Sequence, residues 1–307
     1  MRILLHIYQR ASRARQTITY LAAISCFVPA VAGNGTGDSP LAGWTRLELT
    51  GRKFLFARGE TVLRRWQDPA LVAAESSLRI PGRRRQHVAF AEPAAEGGPG
   101  RWLEISPGRR ARRYAWDACR ASLAVASWSW AGEPGPGWRP VGSERVAVEP
   151  VPPGLVDPWT LLVRLDELAA GSDAEVRVLT RHGARTFALR REPPRRERWS
   201  LERIGAGARR ERLWLTTVRV AVEPADGGET LLGLSGPTML TIDRGSGALL
   251  AIEGRRDGVP GTIRLALRRW GATVEPRPAV PWDVFRDPVP AGTEPAGAAV
   301  DGPRSLP

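Results

Sequence analysis

Lysine is almost absent: Lys53 stands alone among 45 basic residues, which face 32 acidic ones in a chain of 307. Cysteine is scarce too. Cys26 and Cys119 are the only two, which excludes a disulfide framework and any cysteine-rich metal module. Three histidines leave little material for metal ligation, and zinc sites want three or four ligands at short spacings. No apolar run reaches the ~20 residues of a membrane-spanning helix. A phosphate-binding glycine loop, a dinucleotide fingerprint and a Gly-x-Ser-x-Gly motif are all missing. The nearest match to the last, Gly233-Leu-Ser235-Gly-Pro, has one glycine misplaced. No cofactor, metal or catalytic residue is expected. A hydrolase whose triad assembles from distant positions remains an alternative.

Hydrophobic residues make up 42%, enough for a packed core and too many for wholesale disorder. The first 32 residues read as an export signal. Arg2, Arg10, Arg13 and Arg15 give a basic start without any acid, an apolar run follows, and Ala30-Val31-Ala32 offers a small-x-small cleavage site. Cleavage is predicted after Ala32, with a periplasmic destination. The alternatives are an uncleaved anchor or a lipoprotein acylated at Cys26. Cleavage takes the formal net charge from +13 to +9, since four arginines leave with the signal. Cys119 would then be unpaired. Among Trp116, Ala118, Ala121 and Leu123 it is expected to be buried and inert.

Residues 33–43 read as a flexible lead and 44–275 as one β-rich domain. Ile263, Leu265 and Leu267 alternate with Arg264, Ala266 and Arg268, as a half-buried strand does. Trp214, Thr216, Val218, Val220 and Val222 continue one phase over a longer run, and Val176, Phe187 and Val146 mark shorter strands. Arg244-Gly245-Ser246-Gly247 is a hairpin signal. About ten strands fit, in an antiparallel sheet with one dry and one wet face. One helix is predicted, from the Asp157 cap to about Ala170: Pro158 suits its first position, Leu161, Leu162, Leu165 and Leu168 form its stripe, and Gly171 ends it. Residues 112–128 fit helix or strand equally, and 70–76 read as a helical turn. The Pro/Gly-rich segment 276–307 is predicted to be a disordered tail, with local docking open to Trp282, Val284 and Phe285.

Of the histidines, His6 lies in the leader, and His87 and His182 sit among charged or loop residues that suit a solvated surface. Asp166, Glu167, Glu223 and Asp243 are the carboxylates considered for acid–base work; adjacent helical carboxylates usually face water. The arginines cluster at 83–85, 109–113, 190–196 and 209–210, with Trp102, Trp116, Trp199 and Trp214 nearby. That is a nucleic-acid texture, but an exported chain does not meet nucleic acid, so an anionic lipid or envelope surface is the partner expected. Period two sends Arg177, Arg264 and Arg268 to the side of the sheet away from the core, and these are the predicted contacts. The twelve tryptophans read mainly as core.

The order of elements carries a resemblance. Early strands end in a Gly-bounded hairpin before Arg58, Trp102-Leu-Glu-Ile-Ser106 follows, then the Asp157-Pro-Trp-Thr-Leu-Leu162 helix start. The chain closes with Leu240-Thr-Ile-Asp243 and the strands around Leu249 and Leu267. In this order the chain resembles the periplasmic half-barrel proteins related to lipoprotein carriers of the LolA/LolB type. The resemblance implies a mainly β fold, a single strongly curved antiparallel sheet with the helix packed on its concave face. It also implies a non-enzymatic protein that binds a lipid-like, apolar or amphipathic ligand or assists envelope assembly. Trp159, Leu162 and Trp214 are the residues proposed to line its cleft, and a monomer is expected. A basic interaction module is the remaining alternative.

Overall fold

The computed structural model describes residues 39–285, apart from 54–56, 68–69, 81–82, 95–98, 131–136, 149–153, 171–173, 181–182, 206–208, 226–233, 257–258 and 274. Residues 1–32, read as an export signal, residues 33–38, His182 and segment 286–307 lie outside the described residues.

Eight strands come first: β1 (Arg46–Lys53), β2 (Ala57–Gln67), β3 (Ala70–Ile80), β4 (Arg83–Glu92), β5 (Arg101–Ser106), β6 (Arg110–Asp117), β7 (Ser122–Trp130) and β8 (Trp138–Ala147). Each pairs antiparallel with the next, as short connections between alternating segments dictate. A short β9 (Leu155–Val156) leads into two helices, α1 (Pro158–Val163) and α2 (Leu165–Ala170). The chain then adds β10 (Ala174–Thr180), β11 (Gly183–Arg191), β12 (Arg195–Arg203), β13 (Arg210–Pro224), β14 (Ser235–Asp243), β15 (Leu249–Arg256) and β16 (Val259–Gly271).

All of them join one sheet, ordered β8-β7-β6-β5-β4-β3-β2-β1-β16-β15-β14-β13-β11-β10-β9. β12 leaves that path. It pairs with β13 along its length and runs parallel to β16 where Glu202 and Arg203 meet Arg269 and Trp270. β12 to β16 therefore form a closed hydrogen-bonded circuit, and the sheet is barrel-like. Gly51 permits the tight junction of β1 and β16, since a Cβ there would overlap the Arg264 carbonyl.

The mainly β expectation holds, with sixteen described strands rather than about ten. The helix forms where the cap and the leucine stripe place it, but it is broken. Asp157 accepts hydrogen bonds from the Trp159 and Thr160 amides at 3.0 and 2.9 Å, and α1 ends at Arg164. The break lets the two pieces meet different walls: α1 packs on β3, β4 and β10, α2 on β13 and β14. Leu161, Leu162, Leu165 and Leu168 are all buried in the main core inside the sheet.

One stretch differs from expectation and one left open between helix and strand is strand; β3 and β7 are apolar on both faces, which hides period two. Residues 70–76 are strand: Val72 and Ala74 join the main core, while Leu71 and Ala73 belong to a cluster on the opposite face. Residues 112–128 are strand, turn, strand. Cys119 stands in that turn and is exposed, not buried. His87 lies in β4 rather than a loop, half-buried, its ring facing Trp159 at 6.3 Å.

Both ends of the domain are more ordered than the sequence suggests. From Ser39 the lead is docked: Leu41 is fully buried and the Ser39 hydroxyl donates to Asp243 at 2.6 Å. The tail does not begin at Pro276. Residues 275–285 cover the outer face of β3–β7, where Phe285 is buried edge-on against Trp128 and Trp138 at 5.2 and 5.3 Å. Trp282 Nε1–H donates to Glu92 at 3.2 Å, beneath the Arg101 guanidinium. Val284 stays exposed. Aromatic contacts to the sheet supply the apolar burial that Pro/Gly-rich composition alone would not.

Candidate functional site

The carboxylates considered for acid–base work are occupied structurally. Glu167 takes both ends of the Arg164 guanidinium at 2.8 and 2.6 Å. Glu223 lies 3.9 Å from Arg190. Asp243 is buried and accepts from Ser39 and from the amide and hydroxyl of Ser246, which fixes the turn after β14. The side chain of Asp166 lies outside the described residues. Among the described residues no three His, Cys, Asp or Glu side chains are grouped to hold a metal.

The residues proposed for an apolar cleft do not come together. Trp159 and Leu162 are buried in the main core. Trp214 is 56% exposed on the other side of the sheet. The single phase read from Trp214 to Val222 fails in the middle of β13: Leu215 and Thr217 are buried, and then Val218, Val220 and Val222. β13 changes its buried side at Thr217 and Val218, where it passes from β12 to β11 and β14.

The predicted basic contacts are dispersed as well. Arg264 is paired with Glu253 at 3.3 Å. Arg268 is exposed at a bulge, skipped by a register that joins Leu49 to Leu267 and Glu48 to Arg269. Arg177 is half-buried on β10, opposite Thr186 and several strands from the other two. The outer face of β1–β3 and β16 is a chain of alternating charge. Glu202 and Glu48 flank Arg269 at 2.9 and 3.1 Å, and Glu48 meets Arg46 at 2.7 Å. Arg46 holds Glu275, which reaches Arg64 at 3.1 Å, and Arg64 reaches Glu75 at 2.7 Å. Burial works against the Arg46 charge, but hydrogen bonding and attraction from Glu275 and Glu48 outweigh it and raise its pKa. This face is neutralised locally.

Uncompensated basic charge collects instead on the β12–β13 hairpin. Alternation turns Trp199, Leu201, Leu213 and Leu215 toward the core. Arg196, Arg198, Arg210, Arg212 and Trp214 take the opposite, exposed side. The register sets Arg198 directly across from Trp214, and the Arg196 guanidinium lies 5.7 Å from the Trp214 ring. Arg210 and Arg212 precede Trp214 on the same strand face. Glu202 is the one carboxylate on this side of the paired residues, and Arg269 already holds it. Arg196, Arg198 and Arg212 are thus the near neighbours of an indole left in water, with Arg210 one further step along the same face. The signal was present in the sequence as Arg-x-Arg on β12 and Arg-x-Arg-x-Trp on β13.

No family model matches the sequence, and no curated protein matches it. Among solved structures, the chain is similar to the crystal structure of a beta-barrel-like protein of domain of unknown function DUF1849 from Brucella abortus. That likeness has 8% identity and a TM-score of 0.42, covering 74% of this chain and 95% of the other. No link to lipoprotein carriers of the LolA/LolB type is found.

Proposed function

We propose that this is an exported, non-enzymatic protein of the cell envelope that binds anionic amphipathic surfaces through the open side of β12 and β13. One observation carries the reading: Trp214 is 56% exposed on a paired strand, across from Arg198 and with Arg196 and Arg212 beside it. A tryptophan in that setting suits the headgroup level of a bilayer, where its apolar ring and polar N–H are both accommodated. Arginines beside it supply attraction of about 1 kcal/mol each near an anionic surface. The export signal brings such a surface within reach. The interior around Trp159 and Leu162 is occupied by leucines of α1 and α2, which favours surface contact over a wholly enclosed lipid.

Binding isotherms to phosphatidylglycerol vesicles test the reading. Trp214→Ala should weaken binding while leaving the melting temperature unchanged. Equal affinity of variant and wild type would contradict it.

A further inference from the structure

The concave face of β2–β5 carries a polar row that a sealed core would not tolerate. Thr61, Ser76 and His87 are aligned by strand register, with side chains on the same face as the buried Leu63, Ala74 and Ala89. The Thr61 and Ser76 hydroxyls are 3.1 Å apart. Beyond His87 the row continues on β5 and β6 with Ser106 opposite Arg110, and one step inward with Glu104 opposite Arg112. Thr61, Ser76, His87, Ser106, Glu104 and Arg112 are half-buried: they line a wall that water reaches. Trp159 closes the inner end, its ring 6.3 Å from that of His87. The residue is only 8% exposed, and its indole Nε1–H is buried without a hydrogen-bond partner. An orphaned buried donor on the ring that faces His87, at the end of this row, is a place for an acceptor from outside.

We propose that this wall binds a phosphorylated polyol, free in solution or as a lipid headgroup, at a site separate from the β12–β13 surface. The hydroxyls of Thr61, Ser76 and Ser106, which both donate and accept, complement the polyol. Arg110 and Arg112 supply charge-assisted hydrogen bonds to the phosphate. The acceptor for Trp159 Nε1 is a ligand oxygen.

The mature chain offers few histidines, so imidazole NMR signals of His87 can be assigned with His182→Asn. Glucose 6-phosphate should shift those signals saturably. Inorganic phosphate and D-glucose should each bind more weakly, and Arg110→Glu should weaken glucose 6-phosphate about tenfold. Arg110 is exposed, so that variant should melt like the wild type; Trp159→Phe, which removes the orphaned donor, should give a second loss of affinity. Phosphatidylglycerol vesicles are tested on Trp214→Ala, which removes the outer-surface contact. A His87 response to vesicles alone identifies the ligand as a headgroup, and a response to glucose 6-phosphate identifies a soluble one. No response to either probe, or one that Arg110→Glu leaves intact, overturns the site.

Discussion

Trp214 leaves more than half of its surface in water, and a side chain that large usually finds a core. Nothing in the local fold requires it: Leu213 and Leu215, its strand neighbours, already anchor β13 to the interior. Trp214→Ala is therefore expected to change stability by no more than about 0.5 kcal/mol, as surface substitutions do. A large loss on chemical denaturation would mean the indole is structural. Asp157 is the opposite case. Its carboxylate is buried and accepts from two amides and the Thr160 hydroxyl, and all three would be orphaned together. Asp157→Ala should cost about 1–2 kcal/mol, read from the urea midpoint, and Asp157→Asn less. Both roles were partly legible. The cap was plain from Asp157-Pro158 ahead of leucines at helical spacing. Trp214 was assigned to the wrong side because the valines at 218–222 set a phase that β13 does not keep.

Helices this short have no independent stability, so α1 and α2 exist because their leucines fill the inside of the sheet. Leu165, at the junction of the two, is fully buried. Leu165→Asp should abolish cooperative folding, because an unpaired carboxylate would enter the main core. A variant that melts like wild type would remove the helices from that position. The C-terminal segment plays the same part outside. Phe285 is 1% exposed between Trp128 and Trp138, and Phe285→Ala should cost about 3–5 kcal/mol with increased dye binding to exposed apolar surface. An unchanged denaturation midpoint would contradict the docking. Sequence showed the helix region and several strands clearly because their alternation is one-sided. It hid β3 and the β6–β7 pair, whose two faces are both covered, one by the core and one by residues 275–285. Low apolar content in a tail says little when two aromatics have a pocket waiting.

At the scale of the whole molecule, a formal charge of +13 says nothing about where the charge acts. Strand register decides that. On β16 and β1 it sets Glu48 across from Arg269, and where it sets Arg46 of β1 across from Arg64 of β2 the carboxylate of Glu275 bridges the two, so this face is neutralised. On β12 and β13 it sets Arg198 across from Trp214 and Arg212 across from Ser200, and Glu202 is the one carboxylate of the paired residues on that face. Composition and period two could place arginines outward but could not pair strands far apart in sequence, such as β12 with β16. That pairing consumes Glu202 through Arg269 and leaves the hairpin basic. Attraction from such a surface is screened as the Debye length falls to ~8 Å near physiological ionic strength.

Co-sedimentation of the mature chain with phosphatidylglycerol and phosphatidylcholine vesicles, at low and physiological salt, tests the central claim most directly. Two charge-reversed variants accompany it, Arg196→Glu/Arg198→Glu/Arg212→Glu on the hairpin and Arg264→Glu/Arg268→Glu on β16. Wild type should sediment with the anionic vesicles at low salt, release as salt rises and ignore the zwitterionic ones. The β16 variant should retain most of that binding, and the hairpin variant should lose it. Binding that survives reversal of the hairpin, or that does not distinguish the two lipids, would contradict the account.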